Sequence, residues 1–327
     1  MSQRGIVHRE VTAGSPVQWS DTLSRRIRID DLSTLGTSSQ TLAESAIQQG
    51  RWEIAAELTE YFLDEMRRIN EALFTWLTVI LADRMQRAGG PSDDEAIRVV
   101  DAIRGFGPSD GDLTAVLTAC AHQDATTAKG RLELMRVRMA AIHDQLVWWI
   151  QHLLADLAAQ HGEVAVRDVI VRTYDNLWKV RYASWYSMTP LERLQISVEG
   201  MRGHLSGPRH RGDVGVLDEG DRYTMVLDPC GSCGVLRRGD SDSGRPACNP
   251  AGTTHRHDWA WNRLGVGWYA VHSPIVMEWL LMRTGEPPLR PLEGCDQDGP
   301  CRWFIYKDPR QTRPEHYRGM GFQAPDQ

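Results

Sequence analysis

Sulfur and imidazole crowd one part of this chain. Between Asp228 and Lys307 lie five of its six cysteines, three histidines and five of its twelve tryptophans. All but Trp279 fall, in order, in Asp228-Pro-Cys-Gly-Ser-Cys-Gly234, Cys248, His255-Arg-His-Asp-Trp-Ala-Trp261, Trp268-Tyr-Ala-Val-His272, Cys295 and Cys301-Arg-Trp-Phe-Ile-Tyr-Lys-Asp308. Soft donors at this density exceed what a packed core requires, and they point to a site for zinc or another transition metal, or to thiol chemistry.

Cys230 and Cys233 are the clearest pair. Two thiolates on either side of a tight turn can hold one tetrahedral ion, and the same spacing can serve as a redox dithiol. Haem attachment would need a histidine directly after the second cysteine, where Gly234 stands. The other donors, Cys248, His255, His257, His272, Cys295 and Cys301, form neither a second Cys-x-x-Cys nor a histidine pair at zinc-finger spacing. The site is therefore expected to be assembled from several loops, with Cys230, Cys233, His255, His257, His272 and Cys301 as its metal ligands. In extended backbone His255 and His257 point to one side. Asp258 beside them could orient an imidazole or act as a general base, so Asp258, His257 and His272 are the expected catalytic groups. Each has an ordinary alternative: a turn of small residues at 230–233, a polar loop ahead of Trp259, and a core histidine satisfied by a carbonyl at 272. Cys295 reads as a loop thiol and Cys120 as a small buried apolar residue.

What must position these groups is legible from periodicity. Ile54, Leu58, Phe62, Met66, Ile69, Leu73, Trp76 and Ile80 recur at steps of three and four, one face of a long helix ending before Arg87-Ala-Gly-Gly-Pro91. A second rod follows from Leu132, Met135, Met139, Ile142, Leu146, Trp149, Leu153 and Leu157. Shorter helices are expected from Ser92 to Arg104, from Asp112 to Ala121, from Glu163 past Trp178, and from the capping sequence Thr189-Pro-Leu-Glu192 to His204. Residues 1–40 lack sustained periodicity and read as a mobile arm with a short helix near 21–29. After the polar, glycine-bearing run at 206–213 the period becomes extended, with strands expected at Tyr223–Leu227, Val266–Val271 and Trp303–Tyr306 and a helix from Pro274 to Met282. The expected architecture is α+β: a helical domain over 41–205, then a small loop-rich unit with a short sheet over 206–327.

Composition narrows the function. A formal charge of −6 gives no general attraction to nucleic acid or to an anionic membrane. The longest apolar run, near Leu146 to Leu154, falls well short of the roughly 20 residues a span needs. The first 28 residues lack the apolar centre of a signal peptide, so a cytoplasmic protein with reduced thiols is expected. Phosphate-loop, dinucleotide, serine-elbow and His-Glu-x-x-His signatures are absent, as is Glu-x-x-His on the long helices.

The block Pro229-Cys-Gly-Ser, His257-Asp-Trp-Ala-Trp261, Trp268-Tyr-x-x-His272 and Cys301-x-Trp-x-x-Tyr-Lys-Asp-Pro309 resembles one found in bacterial proteins of unassigned function. The resemblance covers about the last third of the chain, implies that the block acts as a unit, and implies no reaction. Three functions remain in view: a metal-dependent enzyme with hydrolase or lyase chemistry on a small-molecule substrate, a non-catalytic interaction protein stapled by structural zinc, and a thiol redox protein using Cys230 and Cys233. The two amphipathic rods carry enough apolar surface to form a ligand-facing wall or a homodimer interface.

Overall fold

A computed structural model describes residues 14–88, 110–239, 247, 251–294 and 299–325. The helix expected from Ser92 to Arg104, together with Cys248 and Cys295, lies outside the described residues.

The protein is α+β, and its helical part is built on two rods of 37 residues each, α3 (Trp52–Ala88) and α5 (Ala125–His161). Along one end Leu58, Phe62 and Met66 mesh with Leu132, Met135 and Met139. Along the other, Trp76, Leu77 and Ile80 meet Leu146, Ile150 and Leu153. The one-turn α1 (Leu32–Leu35), α2 (Ser39–Gln48) and α4 (Asp110–Ala121) flank these rods. Side chains stop the backbone donors from being orphaned: Ser38 caps α2 and Asp124 caps α5. Helix α6 (Glu163–Thr173) continues through a π turn (Tyr174–Trp178) into α7 (Lys179–Trp185). Helix α8 (Pro190–Gly203) opens with the full Thr189/Glu192 capping box that the sequence foretells.

Two local expectations are corrected. In place of a short helix near 21–29 there is an antiparallel hairpin, β1 (Val17–Ser20) with β2 (Arg25–Arg28). Its partners explain the choice. Arg25 reaches Glu199 on α8 at 2.6 and 2.7 Å, Ile27 is buried against Trp185 and Met188, and Arg28, fully buried, binds Asp30 and Ser39. The second correction concerns Val266–Val271, which is no strand. Only Gly267 bridges, to Gly252, and turns follow. Gln151 on α5 competes for the backbone here: its side-chain oxygen accepts from the Tyr269 N–H at 2.7 Å, and its amide donates to the Ala251 carbonyl at 2.8 Å. His272 therefore starts a helix over 272–282, with a π turn at Ile275–Trp279, instead of ending a strand.

The main sheet is antiparallel in the order β3 (Gly215–Asp218), β4 (Arg222–Leu227), β6 (Cys301–Tyr306), β5 (Leu292–Glu293). Trp76 and Ile80 of α3 share one apolar cluster with Trp259, Trp268 and Ile275, so the core runs without a break across residue 206. No helix among the described residues is long and apolar enough to cross a membrane.

Candidate functional site

The turn after β4 carries Cys230, Gly231 and Ser232, and Cys233 begins the short helix α9 (Cys233–Arg238). A side chain at 231 is sterically forbidden, because a Cβ there would lie 1.7 Å from the His204 carbonyl oxygen. That contact seats the turn on the C-terminal end of α8. Two hydrogen bonds fasten it: Gly207 N–H to the Pro229 carbonyl at 2.8 Å, and Gly231 N–H to Ser206 Oγ at 3.2 Å. Strand β6 pairs with β4 in a register that sets Cys301 opposite Leu227, three residues before Cys230.

The consequence is a knot of three buried thiols. The sulfurs of Cys230, Cys233 and Cys301 all lie within 4.8 Å of one another, and those of Cys230 and Cys233 are 3.4 Å apart. Its hydrogen bond with Cys233 pushes the Cys230 thiol up to about 11, against the opposite pull of Cys301, and burial adds to the rise. A tetrahedral ion with metal–sulfur bonds near 2.3 Å holds its sulfurs roughly 3.8 Å apart, within a few tenths of an ångström of the 3.4 Å contact. The donor set fits a thiophilic divalent ion.

Cys230 and Cys233 face a cavity of about 110 Å³ at the junction of α3, α7, α8 and the C-terminal unit. Its walls are aromatic, with Trp76, Trp178, Tyr182, Trp185, Tyr269 and Trp303, and its polar groups are Ser197, Ser232, Ser273, His204, His272, Arg181 and Arg290. Both π turns border it, through Trp178 and Met277. An extra residue in a helical turn re-aims the side chains that follow, and such turns recur at functional sites.

His272 is gripped by its surroundings. Its Nδ1–H donates to the Tyr269 carbonyl at 2.6 Å, and Trp76 and Tyr269 close on the ring with centroids at 4.9 and 5.0 Å. Burial lowers it to about 4, so it is a neutral imidazole whose Nε2 can accept. Among the described residues no histidine joins the three thiols within the same 4.8 Å.

A second imidazole comes from the end of α8. His204 Nδ1 lies 2.9 Å from Ser232 Oγ and 3.0 Å from Nε2 of the fully buried His143, whose Nδ1 is 2.9 Å from Asp144 Oδ1. Ser232 Oγ is also 3.3 Å from His143 Nε2. His143 must donate from Nδ1 to the carboxylate, so its Nε2 accepts, and the assignment that satisfies every member puts the His204 proton on Nδ1. His204 Nε2 then has no partner among the described residues and carries a lone pair at the cavity wall. Burial, with His143 second, lowers His204 well below the ordinary histidine value.

The structure divides the residues singled out from the sequence into two places. Cys230, Cys233 and Cys301 meet, and His272 lines the same cavity. His255, His257 and Asp258 do not line it. Glu163, at the start of α6, takes both imidazoles: His257 Nε2 is 2.5 Å from its carboxylate and His255 Nδ1 3.5 Å. His257 also stacks on Trp259 at 4.3 Å, and His255 is exposed. Burial raises the Glu163 carboxyl, but hydrogen bonds from Thr254, His257 and His255 outweigh that and bring it to about 2. Asp258 accepts from the Trp259 N–H at 2.8 Å and the Trp279 indole at 2.9 Å, which makes it a clamp between two segments. Ser232, His204, Asp144, Arg181 and Arg290 went unnoticed in the sequence, and His143, which its place on a long helix suggests to be solvated or interfacial, is fully buried. Ser232, inside the Cys-x-x-Cys itself, was the one with a local signal.

Compared with known protein families, curated proteins and solved structures, the chain matches none of them.

Proposed function

We propose that the protein is a metal-dependent enzyme acting on a small molecule, with zinc or another thiophilic divalent ion held by Cys230, Cys233 and Cys301 and with hydrolytic or lyase chemistry in the adjoining cavity. The observation that carries this reading is the meeting of three buried thiols, drawn from a turn and a distant strand, two of them on the wall of a cavity lined by two neutral imidazoles. Among the described residues three thiols come together, one fewer than the four protein donors a structural zinc site uses. The ion would supply Lewis-acid chemistry. His204 and His272 would accept or return protons, and the aromatic walls would exclude water and orient the substrate. His257 and Asp258 have no part in this reading; their partners give them structural work.

The 3.4 Å gap between Cys230 and Cys233 favours a second reading as a redox dithiol, since closing to the 2.05 Å of a disulfide is a small movement. The third thiol argues for the ion. Metal content and cobalt substitution separate the two. The first reading expects about one equivalent of metal per chain, thiolate-to-cobalt absorption, loss of both in Cys301→Ser, and full retention in His257→Ala. A protein that binds no zinc or cobalt after reduction, yet cycles between two and no titratable thiols at 230 and 233, would replace it with the second.

A further inference from the structure

Ser232 has partners that are not thiols, and their order matters. Asp144 Oδ1 lies 2.9 Å from His143 Nδ1, and His143 Nε2 lies 3.3 Å from Ser232 Oγ. Carboxylate, imidazole and hydroxyl thus follow one another in the sequence that activates a serine for attack, at a separation that such a pair tightens when substrate binds. All three groups are buried, the first two side by side on α5. The placing of hydrogens agrees. With the His143 Nδ1–H given to Asp144 and the His204 Nδ1–H directed at Ser232 Oγ, 2.9 Å away, the serine's own hydrogen is left for His143 Nε2. Were the serine hydrogen on His204 instead, two ring acceptors would face each other at 3.0 Å.

The backbone presents this hydroxyl to the cavity. Ser232 stands in the turn between strand β4 and helix α9, with Gly231 before it and Gly234 two residues after, and its φ of −106° and ψ of −82° belong to neither element. A strand-to-helix turn of this kind is how a nucleophilic serine is held out over a pocket, and Ser232 lines the cavity together with Tyr269, which also hydrogen-bonds it. The wall offers donors for an acyl oxygen as well. The buried indole N–H groups of Trp76 and Trp303, two residues of that wall, have no hydrogen-bond partner among the described residues. A buried donor gains most from an acceptor brought by a ligand.

We infer that Ser232 is a nucleophile for acyl transfer, with His143 as its base and Asp144 positioning His143, and that the substrate is a small carboxylic ester whose acyl group enters the cavity. Ser232 Oγ attacks the acyl carbon, its proton passes to His143 Nε2, and the ester C–O bond breaks as that proton goes on to the departing alkoxide. Water then repeats the sequence on the acyl-serine and releases the acid, so nothing is oxidised or reduced. This deepens the proposed function by naming its nucleophile and substrate class, and it rests on the cavity being the site. None of the three groups is a thiol, so acylation can be read without the ion.

The test exposes the full chain, zinc-loaded and chelator-treated, to diethyl fluorophosphate and maps the adduct by peptide mass spectrometry. About one adduct per chain, on Ser232, is expected in both forms, and p-nitrophenyl acetate is expected to release a burst of about one equivalent of nitrophenolate. Ser232→Ala is expected to lose adduct and burst together; because the adduct is mapped on the unaltered protein, the test stands even should that variant fail to fold. Asp144→Asn is expected to lower kcat for p-nitrophenyl acetate at least roughly 100-fold, with KM and melting temperature near those of the unaltered chain. Absence of any adduct, an adduct on another residue alone, or an unchanged kcat in a folded Asp144→Asn protein overturns the inference. Labelling of Ser232 in a protein that binds neither zinc nor cobalt would sink the metal reading alone; metal bound without labelling of Ser232 would sink the serine alone.

Discussion

Replacing Gly231 by alanine asks whether the turn that carries the thiols is truly seated on helix α8. The new methyl carbon would lie 1.7 Å from the His204 carbonyl oxygen and 2.8 Å from the carbonyl carbons of His204 and Leu205. All three are backbone atoms, so no side chain can swing away, and either the turn or the end of α8 must retreat by more than an ångström. Overpacking of this kind costs about 1 to 3 kcal/mol, which for a chain of this size lowers the melting temperature by roughly 1.5 to 4.5 °C. The effect on the site is larger in proportion. Ligand distances must hold to within about 0.2 Å, and Gly231 lies between Cys230 and Ser232, so both the sulfur position and the Ser232–His204 contact move. Zinc affinity should fall by at least the roughly 10- to 100-fold seen when a ligand's supporting group is lost.

Gly200→Ala is the matched control. Its Cβ would meet no heavy atom within 4 Å, and the position is inside α8 on the cavity wall. Alanine there should be neutral or stabilise by up to about 1 kcal/mol through helix propensity, with zinc affinity unchanged. Thermal denaturation and competition with a chromophoric chelator measure both variants. A Gly231→Ala protein with wild-type melting temperature and wild-type zinc affinity would refute the seating of the turn, and with it the geometry of the whole site.

Two further outcomes follow from buried charge. Arg202 and Glu65 are each about 1% exposed and bonded at 2.8 Å, and Arg202 also donates to the Leu35 carbonyl at 2.7 Å. Arg202→Met strands the carboxylate and should cost about 3 to 5 kcal/mol in urea denaturation, whereas adding Glu65→Leu should recover much of it; a double variant no better than the single would show that the pair is not the source. Burial holds His316 at about 4 in place of its ordinary 6.5. The unfolded chain thus binds the extra proton between those values, so this stability is complete above pH 6.5 and is lost as pH falls toward 4, on the order of 1 to 3 kcal/mol. His316→Gln should flatten the drop in urea midpoint between pH 7.5 and 5, and an equal drop in both proteins would exclude His316 as its cause.

Elements that repeat a period were legible in the sequence. The faces of α3 and α5, the capping box at Thr189 and the strands around Tyr223 and Trp303 each depend on neighbours a few residues away, and there local pattern and fold agree. Val266–Val271 misled because a short apolar run reads alike as a buried strand or a buried turn, and only Gln151, more than a hundred residues earlier, decides between them. The hairpin at Val17–Arg28 is similar: its register serves Glu199 on α8, which no local rule can see.

The same distinction runs through the site. Cys230 and Cys233 carry their spacing with them, but the donors beside them are set by carbonyls and carboxylates far away. His257, adjacent to Asp258 and a tryptophan, has every local mark of a ligand, yet Glu163, 94 residues earlier, holds it at 2.5 Å. His143 and His204 have no local mark at all. They meet across 61 residues, and Ser232 reaches His143 across 89. What joins them is the missing side chain of Gly231, which lets the turn lie on the His204 carbonyl. One glycine inside a Cys-x-x-Cys therefore does two things. It lets the turn that carries Cys230 and Cys233 lie against the end of α8, and it brings the serine between them against an imidazole whose far side faces the cavity. A Cys-x-x-Cys with a glycine and a hydroxyl between its cysteines is thus more than a pair of ligands here: it is where the sulfur cluster and the histidine chain become one site.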